Sequence, residues 1–157
     1  MEIINELIIH KKYVLDCCLK MAKYLYNNNQ EQLGLEIVKR GLIHDNSKLE
    51  KEELDGLKKI NDNNKSLKDP NAKISAEVCE LLKVHWKNNR HHPEYHQDIN
   101  KMEEIDIIEM CCDWCARSIQ YNTNLMEFVT IRQKTRFHFN DEIYEKIVKY
   151  CNILIGG

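Results

Sequence analysis

Glycine and proline are scarce in this sequence, with five and two occurrences in 157 residues. A strand-and-turn fold needs such breakers at its corners, so their shortage, beside many Leu, Lys, Glu and Ile residues, points to long helices. No apolar run approaches the roughly 20 residues of a membrane helix, so no membrane partner is expected. An excess of one charge is missing too. Lys and Arg number 23 against 25 Asp and Glu, a net charge of −2. The cations are scattered among acids, whereas a duplex binder carries a basic patch, so nucleic-acid duplexes are not expected partners. The amino terminus shows no basic segment followed by a signal-type apolar block. That leads us to expect a cytoplasmic protein, in a host cell should the source be viral. The seven cysteines are an odd number, read as reduced and mostly buried apolar groups.

What is present suits one domain over residues 1–157, since two cores would be cramped at this length. Hydrophobic residues make up 43%, enough for a core, and charged residues 31%, enough for soluble faces. Ile4, Leu7, Ile8, Val14, Leu15, Cys18, Ala22 and Leu25 recur at helical spacing and predict a first helix over residues 2–27. A second is expected over about 30–43, with Leu33, Ile37, Val38, Gly41 and Leu42 inward. Ser47 and Glu50 fit a capping box that would open a third helix running to about Ile60. Residues 61–71 read as a polar loop, and a fourth helix as about 72–88. Residues 89–99 read as irregular, because Pro93 disfavours helix at His92. A fifth helix is expected over about 101–121 and one or two more over about 123–134 and 140–154, with Phe128, Ile131, Ile143, Ile147, Tyr150 and Ile153 as core or interface residues. The whole is all-α with short connections.

Several polar residues sit where apolar ones are expected. His10 is in register with Ile3, Val14, Cys17 and Met21, on the flank of the buried stripe. Alone it reads as a core histidine bonded to a backbone carbonyl. His44-Asp45 closes an apolar helix, and a buried carboxylate needs a partner or a metal; Asp45 as a helix cap is the plainer reading. The fifth helix is apolar nearly all round except for one line, Asp106, Glu109, Asp113 and Arg117, spaced by three or four residues. Either a metal or a watery pocket faces that line, or Asp113 pairs with Arg117 while Asp106 sits near the solvent end. His85, His91, His92 and His96 crowd a dozen residues, and histidine is the commonest transition-metal ligand; a solvated loop is the alternative. Cys112 and Cys115 form a lone CxxC inside a helix, read as core packing rather than a redox or zinc site.

The order His10, His44-Asp45, Asp113 resembles the H…HD…D pattern of the HD-domain metal-dependent phosphohydrolases, over roughly residues 10–120. HDNSKL, HWKNNRHHPEYH and MCCDWCARS, in this order, are similar to segments of an uncharacterised HD-like group of bacteria and phages. The resemblance implies a compact HD-domain-like bundle of about six to seven helices. It implies a divalent transition metal (Mn, Fe, Co, Ni or Zn) held by His10, His44, Asp45 and Asp113. A second ion would use His85 and His92, with His91 the alternative to His92 and Asp45 bridging. Lys48 stands where some nucleotidase members carry a glutamate. The implied activity is phosphohydrolysis of a small nucleotide or related phosphoester, with Asp45 and Lys48 catalytic and His91, His96 and Arg117 binding substrate. Two other functions stay open: a metal-stabilised binding or regulatory module without turnover, and a di-iron HD-like oxygenase. A homodimer is also left open.

Overall fold

The computed structural model describes residues 2–63 and 76–156, which form seven α-helices and no strand. These are α1 (Glu2–Asn27), α2 (Glu31–Ile43), α3 (Lys51–Asn63), α4 (Ala76–Asn88), α5 (Glu104–Tyr121), α6 (Leu125–Arg132) and α7 (Asp141–Ile155). The all-α expectation therefore holds. No described helix is long and apolar enough to cross a membrane.

α5 is the hub, packing against α1, α2, α6 and α7. Its residues Ile105 to Ala116 are buried without interruption, as a helix apolar on every side requires. Its end is a Schellman motif. Asn122 takes the left-handed region at φ 52°, and the N–H groups of Asn122 and Thr123 donate to the carbonyls of Ile119 and Ser118 at 3.3 and 2.9 Å. Asn124 and Asn140 then cap α6 and α7, accepting from Glu127 N at 3.0 Å and Ile143 N at 2.9 Å. α3 and α4 pack on one another and lean on the turns that lead to the histidines.

Some boundaries and faces differ from the sequence reading. The capping box does not form: Asn46–Leu49 is a separate 3-10 turn, and α3 starts only at Lys51. Ser47 Oγ instead donates to Glu53 at 3.0 Å. Residues 61–63 extend α3 rather than open a loop, and the rest of the expected loop, with the expected start of α4, lies outside the described residues. α5 begins at Glu104 because Ile99–Lys101 forms its own 3-10 turn, capped by Asp98. α6 passes into a π-helical turn, Gln133–Phe137. Ile4, Ile8 and Leu42 lie exposed at 38%, 58% and 60%. The buried stripe of α1 runs instead through Leu7, His10, Val14, Cys17, Cys18, Met21 and Leu25, so His10 sits within it, not on its flank. All seven cysteines are free thiols, and Cys112 and Cys115 are buried in α5.

The α1–α2 contact depends on one missing side chain. A Cβ on Gly41 would lie 2.9 Å from Cys18 Cβ and 3.0 Å from its Sγ. Gly41→Ala should therefore force the two helices apart and lower stability by about 1–3 kcal/mol, the usual cost of overpacking. Gly56→Ala, where the nearest atom would be Leu81 Cδ2 at 3.9 Å, should leave stability unchanged or raise it by about 0.5–1 kcal/mol through helix propensity. Thermal unfolding of both variants checks the pair. Equal midpoints would show that α1 and α2 can separate freely.

Candidate metal centre

The His-Asp turn begins where α2 stops. His44 leaves the helical region at φ −47°, ψ 129°, and Asp45 takes the left-handed region at φ 54°, ψ 24°, which Asp and Asn tolerate best among residues with a side chain. Lys48 N–H then donates to the Asp45 carbonyl at 3.0 Å, closing the turn. Lys11 on α1 fastens it from outside, donating to the His44 carbonyl and to Asn46 Oδ1. This backbone sends two consecutive side chains inward: His44 is 1% exposed and Asp45 3%.

Four other segments meet them. His10 from α1 brings Nε2 to 2.9 Å from Oδ1 of Asp113 on α5. His44 Nε2 lies 3.4 Å from Asp45 Oδ2 and 3.8 Å from Asp113 Oδ1. His85 from α4 and His91 from the turn after it bring Nε2 to 3.3 and 3.6 Å from Asp45 Oδ1. His92 Nε2 faces His85 Nε2 at 2.8 Å. Two sets of donor atoms each lie within 4.8 Å of one another: His10, His44 and Asp45, and Asp45, His85, His91 and His92. Asp45 belongs to both.

Two carboxylates that the sequence reading did not assign to the site face these imidazoles from behind. Glu109 Oε1 lies 3.0 Å from His44 Nδ1 and 3.4 Å from His91 Nδ1. Glu53 Oε2 lies 2.9 Å from His85 Nδ1 and its Oε1 accepts from Asn88 at 2.8 Å. A carboxylate taking Nδ1–H fixes the tautomer that leaves Nε2 free to ligate. Glu109, His44 and His91 also form a compact trio. Because Arg40 donates to its Oε2 at 3.1 Å, and both histidines turn Nδ1 toward it, we assign Glu109 the orienting role. Asp106, far from lying near the solvent end, is fully buried and accepts from Arg40 at 2.5 Å and Arg90 at 3.0 Å. Glu109 was visible in the sequence as a member of the polar line on α5. Glu53 gave no signal, since its partner is 32 residues away.

The electrostatics are those of a concentrated acidic core. Burial opposes ionisation of Asp45, yet His44, Lys48 and His85 hold its carboxyl well below the ordinary range. Burial likewise opposes the charge on Asp113, and His10, His44 and His91 outweigh it. Burial opposes that on Glu109 too, where His44 and His91 prevail. Burial disfavours a charged His44, but Asp45 leads the neighbours that push it up to about 10. His10 goes the other way: burial, helped by Arg117, lowers it to about 4.

The decisive feature is what stays unpaired. Among the described residues, both ring nitrogens of His10, His44 Nε2, Asp45 Oδ1, His91 Nε2 and Asp113 Oδ1 are buried without a hydrogen-bond partner, although they crowd together and His10 Nε2 lies 2.9 Å from Asp113 Oδ1. Each such group costs about 1–3 kcal/mol, and native interiors hold few of them. Nitrogen and carboxylate atoms that converge at short range, without hydrogen-bond geometry, could hold a metal ion.

The remaining expected residues divide. Lys48 is buried and ion-paired to Asp45 Oδ2. Arg117 stands one helical turn beyond Asp113, its Nε 4.0 Å from Oδ1. It lines a cleft of about 520 Å³ that reaches Asp113 and His92. His96 stands apart, with Nε2 donating to the Arg90 carbonyl at 2.8 Å and 3.8 Å from Asp106.

A protein-family model described as a family of unknown function (DUF5662) matches residues 1–153. No curated protein and no solved structure matches the chain.

Proposed function

Since the chain belongs to the DUF5662 family, whose function is unknown, its activity has to be read from the site, and we propose that it is a metal-dependent phosphohydrolase acting on a small nucleotide or related phosphoester. One observation carries this reading: buried atoms without a hydrogen-bond partner converge, and one of their residues, Asp113, lines a cleft that also holds Arg117.

In this reading His10, His44, Asp45 and Asp113 hold one ion of Mn, Fe, Co, Ni or Zn. His85, with His91 and His92, holds a second through shared use of Asp45. When bound, such an ion supplies Lewis acidity toward a phosphoryl oxygen and lowers the pKa of water. The chain's own residues do the rest. Glu109 and Glu53 keep the imidazole Nε2 atoms turned inward. Lys48 neutralises Asp45 Oδ2 and leaves Oδ1 facing the histidines. Arg117 offers N–H donors to phosphate oxygens, where fixed cations stabilise developing charge. In the overall reaction a water oxygen bonds to phosphorus as the ester P–O bond breaks. The proton released from water ends on the departing alcohol.

Purified protein given Mn, Co or Zn in turn, with a panel of phosphomonoesters and phosphodiesters, tests this. We expect phosphate release that chelator abolishes and metal restores. One observation favours a second reading, a binding module without turnover: the Lys48–Asp45 pair partly neutralises the network without any ion. Metal-loaded protein that turns over no phosphoester would favour the module and overturn the enzyme reading.

A further inference from the structure

The cleft beside the metal centre has an unusual composition. The chain contains two tryptophans and three phenylalanines. Both tryptophans, Trp86 and Trp114, and two of the phenylalanines, Phe128 and Phe137, line this one cleft. The rings brace one another: Trp114 meets Phe128 edge-on at 5.4 Å and stacks on Phe137 at 6.0 Å, with 16° between planes. A guanidinium, Arg136, lies 5.4 Å from the Trp86 ring centre and 5.1 Å from that of Phe137, fixed by an ion pair with Glu94. This is a preformed wall with aromatic faces and edges.

The inner end of the same cleft differs. There Asp113 and His92 from the metal centre come to its surface, beside Arg117. Among the described residues the contacts of Arg117 are long, at 3.4 Å to Gln120 and Tyr121 and 4.0 Å to Asp113. Its side chain is 35% exposed. It can therefore turn donors toward an anion without breaking a strong pair. A volume of about 520 Å³ falls within the range of small-molecule sites, roughly 300–1,000 Å³.

Building on the metal-dependent reading above, we propose that this cleft selects a phosphomonoester bearing a flat aromatic ring. The ring lies against the Trp86, Trp114, Phe128 and Phe137 wall, and the phosphate lies at Arg117, beside Asp113. Apolar and aromatic walls with a few placed polar groups bind such ligands through ring contact and fix them through the anion. Aliphatic phosphates and free inorganic phosphate engage only the Arg117 end.

The two tryptophans make the cleft its own reporter. Zinc-loaded protein is titrated with phenyl phosphate, glycerol 2-phosphate and inorganic phosphate while tryptophan emission is followed. Phenyl phosphate should change the emission saturably and bind at least tenfold tighter than the other two. Trp86→Leu should erase that preference while leaving inorganic phosphate binding unchanged, and Arg117→Gln should weaken all three phosphates about tenfold. Equal affinities for the three, or a preference that survives Trp86→Leu, would overturn the proposal. Emission is recorded immediately on mixing, before phosphate is released, so the two claims fail separately. Ring preference without catalysis sinks only the enzyme reading, and catalysis without ring preference sinks only this one.

Discussion

Asp45→Asn should abolish metal binding at both donor sets while the protein stays folded. Asp45 is the one residue common to them. Asn keeps the shape and tolerates the left-handed conformation seen at φ 54°, but it removes the charge on which an ion depends. We expect metal affinity to fall by more than the roughly 10–100-fold that loss of an orienting residue costs. Asp45→Ala should do the same and also destabilise the fold. Both variants leave the Lys48 ammonium, buried at 7% exposure, without a carboxylate; Asn still offers it an amide oxygen, whereas Ala offers no partner, a loss of roughly 3–5 kcal/mol. Metal titration and thermal unfolding of the two variants separate these effects. Wild-type affinity in Asp45→Asn would remove Asp45 from the centre of the account.

Glu109→Gln should have the second-largest effect, although Glu109 is assigned no direct place on the metal. It takes Nδ1 of His44 and His91 and is held by Arg40. With an amide there the histidines lose a charged acceptor and the tautomer is no longer fixed. Metal affinity should fall about 10–100-fold. Glu36→Gln is the control. Glu36 also approaches Arg40, at 3.7 Å, but with 47% of its side chain exposed, so its loss should cost under about 1 kcal/mol and leave metal binding intact. Acid provides an independent readout. Burial opposes the Glu109 charge, but its histidine partners hold the folded carboxyl below the ordinary value of 4.5. The stability it contributes is full above that value and is lost as pH falls below it, where the unfolded chain takes up a proton that the folded one resists. Wild type should therefore lose stability more steeply than Glu109→Gln below about pH 4.5. Parallel curves would contradict the assignment.

The helices were legible because few residues interrupt them and apolar spacing is strong. α1 and α2 were placed within a residue or two, and the crowded apolar run on α5 foretold a central helix. Periodicity names a face but not the neighbour that covers it, which is why Ile8 and Leu42 were read as inward yet stand exposed. The Ser47–Glu50 spacing suggested a cap. The structure gives Ser47 to Glu53 instead, because a tight 3-10 turn intervenes after the left-handed Asp45. His10, His44, Asp45, His85 and Asp113 were singled out in the sequence because histidines and carboxylates among apolar neighbours carry distinctive chemistry, and the fold brings them together. The choice between His91 and His92 could not be made there, and both reach the cluster with Asp45. Orienting carboxylates are harder to see: Glu109 stood in the polar line of α5 without a named partner, since His44 is 65 residues away, and Glu53 looked like any other helical glutamate. His96, one member of a dense histidine run, was drawn toward Arg90 and Asp106 by the fold of residues 89–99, a matter of loop geometry that composition does not encode.

The most direct test is metal analysis of protein purified without chelator or histidine tag, with Asp45→Asn alongside. Wild type should carry about one to two equivalents of a transition metal, lost in the variant. Stripped wild type should regain stability when metal returns, by about 3–4 kcal/mol at 100–1,000 times the dissociation constant, as a metal centre built on Asp45 requires. A wild-type protein that carries no metal, takes up none of Mn, Fe, Co, Ni or Zn, and melts at the same temperature with or without them would contradict it.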